Sequence, residues 1–257
     1  MGRLRPGPPG LTGDTVTTPG DPPSTREHRW RGALSLLVTA GLLAWVVSRL
    51  DAGAAWVLLR SADPRPLLLA SALVPLQVLL VARRWRLGCA ALGVALGARE
   101  ATLEYALSML LNQVLPGGMA GDAVRVWRQR GADRPLGTVL RAAAGERMVG
   151  LAVHGAVVLA GLSAWSSLHP GVPRPTGALP LVVVLTIGVA AAARTTLGPI
   201  HPALLARQVA ASLALFATLL LAFEACGRAL GLELGAALFT VVPLTLLAMV
   251  APVSVGG

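Results

Sequence analysis

Between residues 112 and 125 the chain reads Asn112-Gln113-Val114-Leu115-Pro116-Gly117-Gly118-Met119-Ala120-Gly121-Asp122-Ala123-Val124-Arg125. Pro116 lacks a backbone donor and ends a helix, while Gly117, Gly118 and Gly121 permit a tight turn and close approach by another helix or a ligand. Asp122 is placed to cap the helix that follows by accepting from an N–H in its first turn. The free N–H groups and dipole at such a helix start favour an anion. Arg125, three residues on and on the same face, offers a planar fork suited to phosphate, and Asn112 adds an amide just ahead of the break. The same spacing also suits plain packing, with Gly117 and Gly121 as a small-residue face and Asp122 and Arg125 as a simple ion pair, so spacing does not choose between site and packing. Glu146-Arg147, leading the next apolar run, reads as an interfacial anchor pair or as a partner for Arg125, with the anchor favoured.

The elements that must hold these residues are membrane helices. At 54% hydrophobic residues, 13% charged and a mean hydropathy of +0.68, a 257-residue chain is too apolar for a soluble domain. Runs long enough to span a bilayer occur at Ala33 to Ser48, Pro66 to Ala82, Met148 to Leu168, Ala178 to Ala193, Leu204 to Ala225 and Leu234 to Val253. The first follows Arg26, Arg29 and Arg31 with no small-residue cleavage site and reads as a retained signal anchor. Residues 1–28, rich in Pro, Gly, Thr and Asp without periodicity, read as a disordered cytoplasmic tail. The fold class expected is therefore all-α, with a transmembrane domain over 29–257 of about six spans.

Residues 101–130 do not read as a further span, because they carry Glu104, Asn112, Gln113 and Asp122 and break at Pro116-Gly117-Gly118. Arginine counts test the alternative. If Ala101 to Pro116 crossed the membrane, 11 arginines would lie on each side; if 101–130 is a hairpin that enters and leaves on one side, 17 lie inside and 5 outside. Only the second obeys the positive-inside rule. A re-entrant hairpin with a cytoplasmic N-terminus in the plasma membrane is the expectation, with Trp30 and Trp85 at the inner interface and Trp56 and Trp165 near the outer one.

The net charge of +10 does not point to nucleic acid, since the arginines sit between apolar runs and no basic module interleaved with aromatics is present. Cys89 and Cys226 fall at opposite faces of this topology, which excludes a disulfide between them. His28, His154, His169 and His201 have no ligand spacing, so no metal and no cofactor is expected, and His154 reads as a packed, hydrogen-bonded histidine within a span. No Walker-type phosphate loop occurs.

The string Leu115-Pro116-Gly117-Gly118, then Gly121-Asp122 and Arg125, followed by Glu146-Arg147 ahead of an apolar span, resembles the flippase-like lysylphosphatidylglycerol synthase transmembrane family. The end, Pro252-Val253-Ser254-Val255-Gly256-Gly257, resembles the start of that family's second glycine-rich segment, with Pro252, Ser254, Gly256 and Gly257 as its matching positions. The pattern stops at Gly257 where the family's continues, so the chain reads as C-terminally truncated, and it lacks the soluble synthase domain. The resemblance implies a non-enzymatic role in translocating or handling anionic or aminoacylated phospholipids or polyprenyl-phosphate-linked lipids. Two other readings stay open: an intramembrane lipid-linked transferase with Asp122 or Glu146 as its carboxylate, and a noncatalytic partner of a lipid-modifying enzyme.

Overall fold

A computed structural model of the chain describes residues 51–114, 120–131 and 133–250, with isolated helical positions at 37, 41, 44, 45 and 47–49. The tail expected at 1–28 and most of the span expected at Ala33 to Ser48 lie outside the described residues. The chain separates into two compact units, Met1–Val46 and Val47–Gly257, and the second holds the helices that follow.

Helix α1 (Ala52–Ser61) is capped by Asp51, whose carboxylate accepts from the Ala54 N–H at 3.0 Å. Asp63 does the same for α2 (Pro64–Ala91) through the Arg65 N–H at 2.9 Å, and Pro64 takes the first helical position, where no donor is missed. Helix α2 runs past Pro75 and past Arg83, Arg84 and Arg86. It stops at Gly93, whose φ of 76° lets the Val94 N–H reach the Cys89 carbonyl at 2.9 Å. Then come α3 (Ala98–Val114), α4 (Ala120–Gln129), α5 (Leu136–Ser163), the single turn α6 (Trp165–Leu168), α7 (Ala178–Leu197), α8 (Pro202–Ala229), a 3-10 turn (Gly235–Phe239) and α9 (Val241–Val250).

Helices α2, α5, α7 and α8, of 28, 28, 20 and 28 residues, are long and apolar enough to cross a membrane. Leu68, Leu79, Val184 and Ile187 project from them exposed, an arrangement that water would not tolerate over so much surface. The protein is an all-α, multi-pass membrane protein.

Two boundaries depart from the expectation. Helix α5 begins twelve residues before Met148, because Arg141, Glu146 and Arg147 find partners and need not end the helix. Leu234 to Val253 is not one span among the described residues: the 3-10 turn covers its start and α9 has 10 residues, about 15 Å of helix against a hydrocarbon core of about 30 Å. Trp85, expected at the inner interface, is fully buried, whereas Trp56 is exposed, with Arg60 over its ring.

Register along the helices fixes their directions. Arg84 meets Glu146, and a Cβ on Gly88 would touch the Ala142 carbonyl at 3.1 Å, so α2 and α5 are antiparallel. Met148 accepts from Thr196 and Gly155 faces Thr186, which makes α5 and α7 antiparallel. The Asp63 N–H to Ala229 carbonyl bond at 2.9 Å and the Gln77 to Thr218 carbonyl bond at 3.3 Å do the same for α2 and α8. Helices α3 and α4 form an antiparallel hairpin, with Ser108 on Asp122, Glu104 on Arg128 and Glu100 on Arg134 in successive rungs away from the turn. Since α2 and α5 run in opposite directions, the hairpin between them starts and finishes at the same end of that pair. The turn itself, with Pro116, Gly117 and Gly118, lies outside the described residues, as do Pro252, Ser254, Gly256 and Gly257.

Candidate functional site

Three helices bring polar and charged residues to Asp122. Asp122, in the first turn of α4, accepts from Ser108 Oγ at 3.2 Å, Asn112 Nδ2 at 3.3 Å, Arg125 Nη2 at 3.1 Å and Arg147 Nη2. Ser108 and Asn112 come from one face of α3, four residues apart, and Arg147 from α5. Asp122 therefore joins the hairpin to the bundle and does not cap its own helix. Asn112 supplies the capping contact instead, since its Oδ1 accepts the Gly121 N–H at 2.7 Å. Gly121 is required there: a Cβ would overlap the Ser108 carbonyl oxygen, which cannot swing aside.

Arg125 does not face outward as a fork for phosphate. It is 1% exposed, with its guanidinium carbon 4.3 Å from the Trp85 ring centroid and 4.2 Å from that of Tyr105. Two aromatic faces thus stabilise the buried cation. Its Nη2 binds Asp122, and its Nε and Nη1 have no hydrogen-bond partner among the described residues. The arginine on the accessible side is Arg147, whose side chain is 47% exposed.

Glu146 and Arg147 do not act together as an interfacial anchor pair. Glu146 is 1% exposed and bound by Arg84 Nη2 at 2.9 Å, and the same nitrogen reaches the Glu146 backbone carbonyl at 2.9 Å. Gly150, one turn on, leaves room for that guanidinium, which a Cβ would strike. Breaking a buried pair of this kind costs about 3–5 kcal/mol, whereas a pair such as Arg147 with Asp122, whose arginine is half-exposed and screened by solvent, contributes closer to the roughly 0–1 kcal/mol of a surface pair. The first is a frame and the second is replaceable.

Arg84, Arg125 and Arg147 oppose only Asp122 and Glu146, so the cluster carries one positive charge in excess. Sequence reasoning placed Asn112, Gly121, Asp122, Arg125, Glu146 and Arg147 here, and the fold does bring them together. It missed Arg84, Trp85, Tyr105 and Ser108. The spacing of Tyr105, Ser108 and Asn112 at three and four residues was a readable signal for a common face on α3; nothing in the Arg83-Arg84-Trp85-Arg86 string separated Arg84 from arginines that serve topology.

His154, read as a packed histidine, has its Nε2 2.9 Å from the Pro243 carbonyl and its ring against Phe216. Among the described residues no group of His, Cys, Asp and Glu could hold a metal ion, and Cys89 and Cys226 are free thiols.

The family model described as lysylphosphatidylglycerol synthase TM region matches residues 32–198, a stretch that contains the hairpin and all of the charged cluster. No curated protein and no solved structure matches the chain.

Proposed function

Because the chain belongs to the lysylphosphatidylglycerol synthase TM region family, we propose that it translocates phospholipid or polyprenyl-phosphate-linked lipid, taking the lipid phosphate at the cluster between the α3–α4 hairpin and α5. The observation that carries this reading is the excess positive charge at a place where the outermost pair, Arg147 with Asp122, is weak enough to exchange. A phosphate that displaces Asp122 from Arg147 gains a charge-assisted bond of the kind arginine makes well. Asp122 keeps Ser108, Asn112 and Arg125 as partners, so the exchange strands no buried carboxylate. Behind it the Arg84–Glu146 pair stays closed and holds α2 against α5.

The hairpin, on this reading, dips into the membrane from the arginine-rich cytoplasmic face of a plasma membrane and returns to it. Non-helical backbone at such depth is tolerated where protein or a wet cavity covers it, and a wet cavity is what a headgroup needs. Acid–base catalysis is disfavoured, because Asp122 and Glu146 are both engaged by guanidinium groups and no second free carboxylate stands beside them among the described residues. A separate lipid-modifying enzyme that supplies an aminoacylated lipid is compatible with this role.

The test is dithionite quenching of fluorescent phosphatidylglycerol in proteoliposomes. Wild type is expected to expose inner-leaflet lipid, and Arg147→Gln to slow this by about tenfold, as loss of one charge-assisted bond would. If the wild-type protein moves none of phosphatidylglycerol, its lysyl ester or a polyprenyl phosphate, the reading fails.

A further inference from the structure

A second concave surface lies beside α2, built from residues other than the charged cluster. It has a volume of about 640 Å³ and opens where the start of α8 passes the last turns of α2, near the 92–97 turn. Three arginines, Arg83 and Arg86 from α2 and Arg207 from α8, stand on its lining together with Leu79, Leu87 and Leu204. All three arginines are exposed, and among the described residues no carboxylate lines the cavity. Arg86 spends its Nε on the Leu96 carbonyl at 3.0 Å, which fixes it against the turn, while Arg83 and Arg207 have no ion-pair or hydrogen-bond partner among the described residues.

Three guanidinium groups without a counter-charge repel one another unless an anion joins them. Arginines that only set topology can spread into solvent, but these converge from two helices on a cavity of ligand size with an apolar wall. The apolar wall argues against a free inorganic anion, and the protein spans a membrane whose lipids supply both a phosphate and a chain.

We infer that this cavity holds a resident anionic phospholipid, its phosphate among Arg83, Arg86 and Arg207 and its acyl chain along Leu79, Leu87 and Leu204. The lipid acts as a wedge between α2 and the start of α8 and is not the cargo of the hairpin. The inference therefore stands whether or not the hairpin moves lipid.

Native mass spectrometry of the full chain released from nanodiscs tests it, with dioleoyl phosphatidylglycerol and dioleoyl phosphatidylcholine as probes. Wild type should retain phosphatidylglycerol in preference to phosphatidylcholine, and millimolar inorganic phosphate should not displace it. Arg83→Gln with Arg207→Gln should weaken retention by roughly ten- to thirtyfold, given the usual attraction of each arginine to anionic lipid. Arg60→Gln with Arg65→Gln, which removes the same charge at the other end of α2, should leave it unchanged. Thr102→Glu, which sets a carboxylate on the cavity lining and keeps every arginine, should also lower it, so the outcome does not hang on one variant folding. Equal loss in the two arginine pairs, equal retention of the two lipids, or full displacement by phosphate would each overturn the inference.

Discussion

The two halves of α5 use the same residue type for different ends. Up to its midpoint, where Gly150 makes room for the Arg84 guanidinium, the helix face beside that glycine carries Glu146 and Arg147 toward the hairpin. In the second half, Gly155 faces Thr186 and Gly161 lies against the Phe239 carbonyl, next to the apolar cluster of Val158, Leu162 and Val182. The first part packs around charge as well as around methyl groups, with Val139, Ala143 and Val149 in apolar clusters, whereas the second packs around backbone and methyl groups. Apolar packing alone would have served both for stability, since a buried ion pair is often replaceable by hydrophobic residues without loss.

The largest effect expected comes from splitting the buried pair. Glu146→Ala should destabilise the protein by about 3–5 kcal/mol, because Arg84 is left buried without its carboxylate. Thermal unfolding in detergent, followed by reaction of the buried Cys89 thiol, measures this. Arg84→Met with Glu146→Leu should recover most of the stability and lipid translocation with it, since the pair frames the site and its joint removal leaves the excess positive charge in place; translocation that stays low in the folded double variant would show that the pair does more than hold α2 against α5.

Close-packed glycines come next. Gly121→Ala and Gly161→Ala each force a Cβ onto a neighbouring carbonyl and should cost about 1–3 kcal/mol. They should separate in function: Gly161→Ala lowers the folded fraction alone, whereas Gly121→Ala also slows translocation in the protein that remains folded, by moving α4 off α3.

Arg147→Gln should change stability by no more than about 1 kcal/mol, as half-exposed pairs do, despite its expected effect on lipid movement. A large loss of stability would show that Asp122 needs Arg147 to fold and that the pair does not exchange.

The smallest effect lies at the open end of the hairpin. The hydrogen bond from Arg134 holds the Glu100 carboxyl below its usual range. A depressed carboxyl stabilises the fold above its unfolded pKa of about 4.3 and loses that contribution as pH falls through the lower folded value. A shallow loss of stability below about pH 4 is expected in wild type and a shallower one in Glu100→Gln, compared by unfolding across pH.

The division of residues 101–130 into two helices was legible from its polar residues and its Pro-Gly-Gly string, and the rungs Glu100–Arg134, Glu104–Arg128 and Ser108–Asp122 pair those helices antiparallel. The Arg84–Glu146 pair was not legible, because its partners are 62 residues apart and each has a sufficient local explanation, a topology arginine and an anchor glutamate. The true start of α5 was hidden for the same reason: hydropathy treats Arg141, Glu146 and Arg147 as interruptions, while the fold gives each a partner. Arg125 was placed correctly on the face of Asp122, but its burial between Trp85 and Tyr105 depends on two other helices.

Everything about the cluster depends on a hairpin that starts and ends on one face, and labelling tests that directly. In a Cys89→Ala, Cys226→Ala background, Arg99→Cys and Arg130→Cys mark the two feet of the hairpin, and Val172→Cys marks the loop before α7. In sealed, oriented proteoliposomes an impermeant maleimide should reach both feet from one side and Val172→Cys from the other. Labelling of Arg99→Cys and Arg130→Cys from opposite sides would contradict the account.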